Sequence, residues 1–208
     1  MKKIFAIAAL FASMAIASAQ QLGVTGGLTL SKMNGISNPK DTKAVALYSA
    51  GVLYKADLGA GFAIQPELLW QVKGANVQEN VGALDNLTVS RSNNVELGLG
   101  LQWGPDLLAF RPYLFVEPFL GYSVGGKEFQ KLANADFSKD KVLEARNKLE
   151  YGVGGGIGVE IASHIQLSFQ LFRNMGPLYK ADKLGENKYP YEHLKNYQGM
   201  KINLAILF

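Results

Sequence analysis

The chain has 208 residues, no cysteine and 23 glycines, with 48% hydrophobic and 18% charged residues. That length fits one domain more simply than two, and the apolar content excludes a mainly disordered chain. Without cysteine there is no disulfide scaffold, zinc ribbon or catalytic thiol. A formal charge of +4, from 21 basic and 17 acidic residues, is too even for a dedicated nucleic-acid binder. Soluble surfaces carry about 25–35% charged residues, so some surface here is covered without charge.

The chain opens with Lys2 and Lys3, then an apolar run from Ile4 to Ile16, then Ala17-Ser18-Ala19 before Gln20. This is the pattern of a secretory signal peptide, with an apolar stretch too short to span a bilayer. We expect residues 1–19 to be removed and residues 20–208 to form one domain. Loss of Lys2 and Lys3 leaves 19 basic against 17 acidic residues, net +2. No other run approaches the roughly 18 apolar residues of a membrane helix.

The mature chain alternates with period two about eight times. Leu22, Val24, Gly26, Leu28 and Leu30 share a face opposite Gly23, Thr25, Gly27, Thr29 and Ser31. Tyr48, Ala50, Val52, Tyr54 and Ala56 oppose Ser49, Gly51, Lys55 and Asp57. Phe62, Ile64, Pro66, Leu68, Trp70 and Val72 oppose Gln65, Glu67, Gln71 and Lys73. Val95, Leu97, Leu99, Leu101 and Trp103 oppose Asn94, Glu96, Gly98, Gly100 and Gln102.

The fifth run is less clean. Leu114, Val116, Pro118, Leu120 and Tyr122 oppose Arg111, Glu117, Gly121 and Ser123, but Phe115 and Phe119 join the polar face. In the sixth, Leu149, Tyr151, Val153, Ile157, Val159 and Ile161 oppose Glu150, Gly152, Gly154, Gly156, Gly158 and Glu160. The seventh sets Ile165, Leu167, Phe169 and Leu171 against Gln166, Ser168 and Gln170. The last sets Met200, Ile202, Leu204, Ile206 and Phe208 against Lys201 and Asn203. Runs of about ten residues suit a tilted transmembrane strand.

Short connections at Gly59-Ala60-Gly61, Gly104-Pro105-Asp106 and Ala162-Ser163 alternate with long polar ones near 32–43, 74–93, 126–147 and 174–197. Lys139 to Lys148 in the third long connection reads as a short helix. Short turns at one end and long loops at the other predict an all-β, eight-stranded antiparallel up-and-down transmembrane barrel. The expected location is the outer membrane, with long loops outside the cell and both termini periplasmic.

Alternation alone also describes a soluble lipocalin-like barrel. The polar face, however, is mainly Gly, Ser, Thr, Asn and Gln, and the row Gly152 to Gly158 would make a poor solvated surface. It suits a narrow lumen in which large neighbours need room. Trp70, Trp103, Tyr48 and Tyr151 near strand ends suit an aromatic girdle. Pro66 and Pro118 fall inside strands of a barrel with no free edge, which predicts bulges there.

The run Gly61-Phe62-Ala63-Ile64-Gln65-Pro66-Glu67-Leu68-Leu69-Trp70, ending in Lys73-Gly74, resembles the QPEL strand of a small outer-membrane β-barrel family abundant in Bacteroidetes, labelled porin-family or PorT-like. Gly23 to Leu28 and Pro112 to Tyr122 resemble its opening and fifth strands. The closing Phe208 is similar to the C-terminal aromatic that addresses such chains to the barrel-assembly machinery. The resemblance implies architecture and outer-membrane lipid partners. It implies no catalytic residues, because the family shares none.

The inward face collects Glu67, Glu96, Glu117, Glu150 and Glu160 with Lys55, Lys73, Arg111 and Lys201. These charges read either as an ion or proton path or as structural ion pairs, since a dry lumen demands a partner for each. Eight strands are just filled by side chains, which favours ion pairs, with Glu67 and Glu117 bound to basic neighbours. His164 beside Ser163 and His193 after Glu192 are the only histidines, and no spacing places a serine opposite His193 for hydrolase chemistry. A metal or cofactor site finds no ligand set. Gly121 to Glu128 nearly matches a phosphate loop, but it lacks the hydroxyl for magnesium and reads more simply as a strand-end turn at Gly125-Gly126.

In the last long loop Tyr179, Tyr189, Tyr191 and Tyr197 interleave with Lys180, Lys183, Lys188 and Lys195. Basic and aromatic residues there could hold lipopolysaccharide phosphates, a glycan or an extracellular protein, or the loop could fold on its own tyrosines. The function expected is a structural or interaction barrel that displays loops. A narrow or gated transport barrel and a lipid A-modifying enzyme are the alternatives.

Overall fold

The computed structural model describes residues 20–34, 42–43, 45–81, 84–107, 109–131, 147–176 and 196–208. Its strands are β1 (Gln20–Asn34), β2 (Thr42–Lys43), β3 (Val45–Gly59), β4 (Phe62–Val81) and β5 (Leu84–Trp103). They continue with β6 (Phe110–Lys131), β7 (Leu149–Ile161), β8 (Ile165–Asn174) and β9 (Asn196–Leu207). Apart from β2, each strand pairs antiparallel with its chain neighbours, and β1 with β9 closes the ring. This is a closed eight-stranded barrel, as the alternation predicts. The two residues of β2 add only to the far end of β4, where Thr42 meets Val77.

Period two turns one set of side chains inward and the other outward on every barrel strand. On β5, Asn94, Glu96 and Gln102 are buried, while Leu97, Leu99, Leu101 and Trp103 are 41–50% exposed. Exposed leucine, isoleucine, valine or aromatic side chains occur on all eight barrel strands. That exceeds by far the patch a water-facing monomer tolerates, so the medium outside is apolar. Phe62, Trp103 and Phe110 band one end of the wall, and Tyr48, Trp70, Tyr122 and Tyr151 the other, all exposed.

The start of β1 and the end of β9 lie at the short-turn end. Phe208 N–H donates to Leu22 O at 2.7 Å, Leu207 N–H to His164 O at 2.7 Å, and Gln21 Nε2 to Ser163 O at 2.7 Å. Leu53, Ala205 and Leu207 form an apolar plug inside the same end. The turn after β7 is tight: Ala162 and Ser163 both have φ near +50 to +59°, and His164 N–H donates back to Ile161 O.

Two expectations need correction. Pro66 and Pro118 produce no bulge, although the strands lie where the alternation placed them. Pro66 pairs regularly with Leu99 on β5, and Pro118 with Val153 on β7. On the other side of each proline the ladder skips two pairs and resumes in the same register. The cost is a missing donor, not a kink. Bulge-type shifts fall instead at Asp57/Gly59 and at Asn93/Asn94, where Val124 is the extra residue on β6.

The long connections are also partly strand. β4, β5 and β6 run for 20, 20 and 22 residues, about twice what a membrane crossing needs. β4 stays paired with β5 up to Val81–Leu84, and β5 with β6 up to Leu87–Lys131. A three-stranded sheet therefore rises past the rim opposite the short turns, where 74–93 reads in sequence as a loop. The helix expected at Lys139 to Lys148 lies mostly outside the described residues; its last two, Asn147 and Lys148, are not helical.

Candidate functional site

The lumen is filled by side chains in three layers along the barrel axis. At the long-connection end, Lys73, Glu96 and Lys201 have no solvent exposure. Lys73 Nζ donates to Glu96 Oε2 at 2.6 Å, and Lys201 Nζ to Glu96 Oε1 at 2.9 Å. Lys73 also reaches Glu150 at 3.4 Å, and Asn174 Nδ2 donates to the same carboxylate at 2.7 Å. Phe119 and Phe172, edge to face at 6.5 Å, present their rings to both ammonium groups, with Lys73 4.5 Å from the Phe119 centroid. Each ammonium is thus paired and covered by a ring, which is what burial of a cation demands.

The layer at the short-turn end is built on Glu160. Its Oε1 accepts from Lys55 Nζ and its Oε2 from Gln166 Nε2, both at 2.9 Å, with Arg111 Nη1 3.7 Å away. Arg111 donates to Gln102 Oε1 at 3.0 Å and to Gly61 O at 2.8 Å, and Gln102 Nε2 donates to Gln65 Oε1 at 2.8 Å. The exposed carboxylates Asp57 and Asp106 meet Lys55 and Arg111 at 3.0 and 3.4 Å.

Between these layers lie Glu67 on β4 and Glu117 on β6. The expectation that they pair with basic neighbours is wrong. Among the described residues neither makes an ion pair, because the surrounding lysines and Arg111 are held by Glu96, Glu150 and Glu160. One oxygen of each, Oε1, is buried without a hydrogen-bond partner. Gly98 on the strand between them creates their space: a Cβ there would stand 3.0 Å from Glu67 Cγ and 3.1 Å from Glu117 Oε1. Both carboxyls line a polar cavity of about 20 Å³ with Thr25, Tyr113, Ser168 and Asn203. That is room for about one water.

The structure thus gathers every lumen charge named from sequence: Glu67, Glu96, Glu117, Glu150, Glu160, Lys55, Lys73, Arg111 and Lys201. Sequence reasoning missed Phe172, Asn174 and Gln166 as members of these networks. Period two counted onward from Gln170 would have included Phe172 and Asn174.

The loop residues Tyr179, Lys180, Lys183, Lys188, Tyr189, Tyr191 and Lys195 lie outside the described residues, as does His193. Tyr197 is not a loop residue: it is fully buried on β9, paired with Met33. His164 is exposed in a turn, with Nδ1 2.5 Å from Ala162 O. Gly121 to Glu128 lies within β6, so the phosphate-loop likeness is a strand carrying a bulge, neither nucleotide cradle nor strand-end turn. A recess of about 690 Å³ is an apolar groove on the outer wall, floored by Leu114, Ile157, Leu167 and Phe169. It faces the apolar medium.

Comparison with known proteins finds similar solved structures, among them the following three, and one family. Neisserial surface protein A shares 12% identity over 92% of this chain and 98% of its own, with a TM-score of 0.45. A major outer membrane protein of Thermus thermophilus shares 12% over 91% and 100%, at 0.47. Ail, the attachment invasion locus protein of Yersinia pestis, shares 7% over 91% and 97%, at 0.41. At these scores no role is transferred, and the fold rests on the strand ladder itself. No curated protein matches the chain. Residues 14–180 match the family described as the outer membrane protein beta-barrel domain. The chain belongs to that family, and it is an outer-membrane β-barrel protein.

Proposed function

We propose that this protein is a structural and interaction barrel, closed to solute flow, which holds strand-built connections above the outer membrane. The observation that carries the reading is the filled lumen: two buried ion-pair layers stand across the bore, and the cavity between them is about 20 Å³, no larger than one water. A wall of eight strands leaves no aqueous channel beyond its side chains. In this reading residues 1–19 direct export, the short turns and both termini face the periplasm, and the β4–β5–β6 sheet points outward. The QPEL-type strand supports kinship with PorT-like barrels.

The candidate contact residues belong to the segment between β8 and β9: Tyr179, Lys180, Lys183, Lys188, Tyr189, Tyr191 and Lys195, whose basic and aromatic types have the chemistry for charge-assisted hydrogen bonds and aromatic contact. Lipopolysaccharide phosphates fit it best; an acidic glycan or a protein is a further ligand class. The protein carries out no catalysis in this reading.

Planar-bilayer recording tests the closed lumen. Purified barrel is expected to give no discrete conductance steps; steady steps in most insertions would overturn the proposal and favour transport. Replacing Lys180, Lys183, Lys188 and Lys195 by Gln is expected to weaken binding to lipopolysaccharide micelles at least tenfold.

A further inference from the structure

Beyond the barrel rim, the β4–β5–β6 extension has two faces of opposite charge. On β5 the odd positions Leu97, Leu99, Leu101 and Trp103 belong to the exposed outer wall, and the even positions Ser92, Asn94 and Glu96 to the buried lumen. Counted along the same strand, Arg91, Val89, Leu87 and Asp85 continue the outer face. Directly opposed residues share that face. Gly74 and Lys127 flank Arg91, Asn76 and Phe129 flank Val89, and Gln78 and Lys131 flank Leu87. The short β2 adds Lys43 as the partner of Asn76. Lys43, Arg91, Lys127 and Lys131 thus share the outer face with one acid, Asp85, at the far tip. Among the same paired residues, the inner face carries Glu79 and Glu128 and no base.

The bulge on β6 produces this sorting. Before it, Arg111, Tyr113, Phe115, Glu117, Phe119 and Ser123 alternate onto the lumen face. Without Val124 as an extra residue, the same count would place Lys127 and Lys131 on the inner face and Glu128 on the outer one. Bulges at sheet edges and barrel rims re-aim side chains in this way. Here the result sets Arg91 directly opposite Lys127. Directly opposed residues have Cβ atoms about 4.5–5.5 Å apart, and like charges so placed destabilise the pair. An anion bridging both bases reverses that repulsion. Gly74, on the other side of Arg91, leaves the row without a third side chain.

The level of the patch indicates which anion. Trp70, Val95 and Tyr122 form one register row, and both aromatics are exposed on the outer wall, marking the edge of the apolar medium. Arg91 stands four residues beyond Val95, about 13 Å along the strand and less along the membrane normal, because barrel strands tilt. This is the headgroup layer, reached by a face continuous with the apolar wall. A phosphate group accepts two hydrogen bonds from a guanidinium and is attracted by an ammonium as a point charge.

We propose that Arg91 and Lys127, with Lys43 and Lys131 beside them, form a binding face for the phosphate groups of lipopolysaccharide. The acyl chains lie on the apolar wall, and a phosphate bridges the Arg91–Lys127 pair. The face is separate from the β8–β9 segment, and it rests on the reading that the long-connection end lies outside the cell.

The test titrates the refolded barrel, in zwitterionic detergent, with diphosphoryl lipid A, with lipid A stripped of phosphate, and with phosphatidylglycerol. The phosphorylated lipid A is expected to bind best and to lose affinity as salt rises. Arg91→Gln/Lys127→Gln is expected to bind it at least about tenfold more weakly while keeping the folded gel mobility of the wild type. In lipid-free micelles the same variant is expected to unfold at no lower urea concentration than the wild type, because the cross-strand repulsion is gone. Undiminished binding in this variant or equal affinity for phosphate-free lipid A overturns the site. So does a preference for phosphatidylglycerol, the result expected if this end faced the other leaflet. Lys180→Gln/Lys183→Gln/Lys188→Gln/Lys195→Gln, run in parallel, separates the two surfaces. Loss there with none in Arg91→Gln/Lys127→Gln overturns this site and leaves the β8–β9 reading intact. The reverse pattern supports this site and overturns that reading.

Discussion

Single side chains in this lumen act through what they leave behind when changed. Glu96 accepts from both Lys73 and Lys201 with no exposure at any of the three. Glu96→Gln therefore strands two buried ammonium groups with reduced counter-charge. Breaking a buried pair costs about 3–5 kcal/mol, and urea unfolding in micelles is expected to show a loss of that size. Asp106, 77% exposed, pairs with Arg111 at 3.4 Å in a solvent-screened position, and Asp106→Asn is expected to change stability by less than about 0.5 kcal/mol. Gly158 works by vacancy: a Cβ there would stand 2.5 Å from Tyr113 Oη and 2.8 Å from Cε2. Gly158→Ala is expected to cost about 1–3 kcal/mol through overpacking. In a Tyr113→Ala background most of that cost should vanish in the same assay, because the clashing ring is gone.

At the scale of elements, strand placement was legible because period two survives nearly everywhere, Gly152 to Gly158 included. Strand ends were not. The 74–93 stretch is polar and reads as a loop, yet β4 and β5 pair through it, since backbone hydrogen bonds need no apolar face once a neighbour supplies the ladder. The prolines mislead for a related reason. Each removes one donor, and the continuous ladder on the opposite side holds the register without a bulge. The β7–β8 turn carries two left-handed residues that are not glycine, Ala162 and Ser163. Ala162→Asn with Ser163→Gly suits a tight hairpin turn better. It is expected to stabilise by about 0.4–1 kcal/mol, read as a higher urea midpoint at unchanged slope.

For the whole molecule, the outer wall and the lumen are held by opposite physics. Outside, leucines stand half-exposed because their medium is hydrocarbon; Leu97 is 49% exposed in the middle of β5. Leu97→Arg is expected to cost about 2–4 kcal/mol in bilayers, and much less than that at Leu58, exposed beside the β3–β4 turn at the rim. Comparing the two variants by equilibrium unfolding into lipid vesicles checks the depth dependence. Inside, polar groups replace water with one another, and the bore closes.

The sequence by itself determined the strand count, the inward and outward faces, and the composition of the lumen. Each follows from local alternation, which depends only on neighbours in the chain. Which charge meets which was decided by tertiary structure alone. Lys55 reaches Glu160, and Lys201 reaches Glu96, across strands 105 residues apart in the chain. Those partnerships depend on register accumulated around the whole ring. The same closure left Glu67 and Glu117 facing each other over Gly98 with every nearby base already engaged.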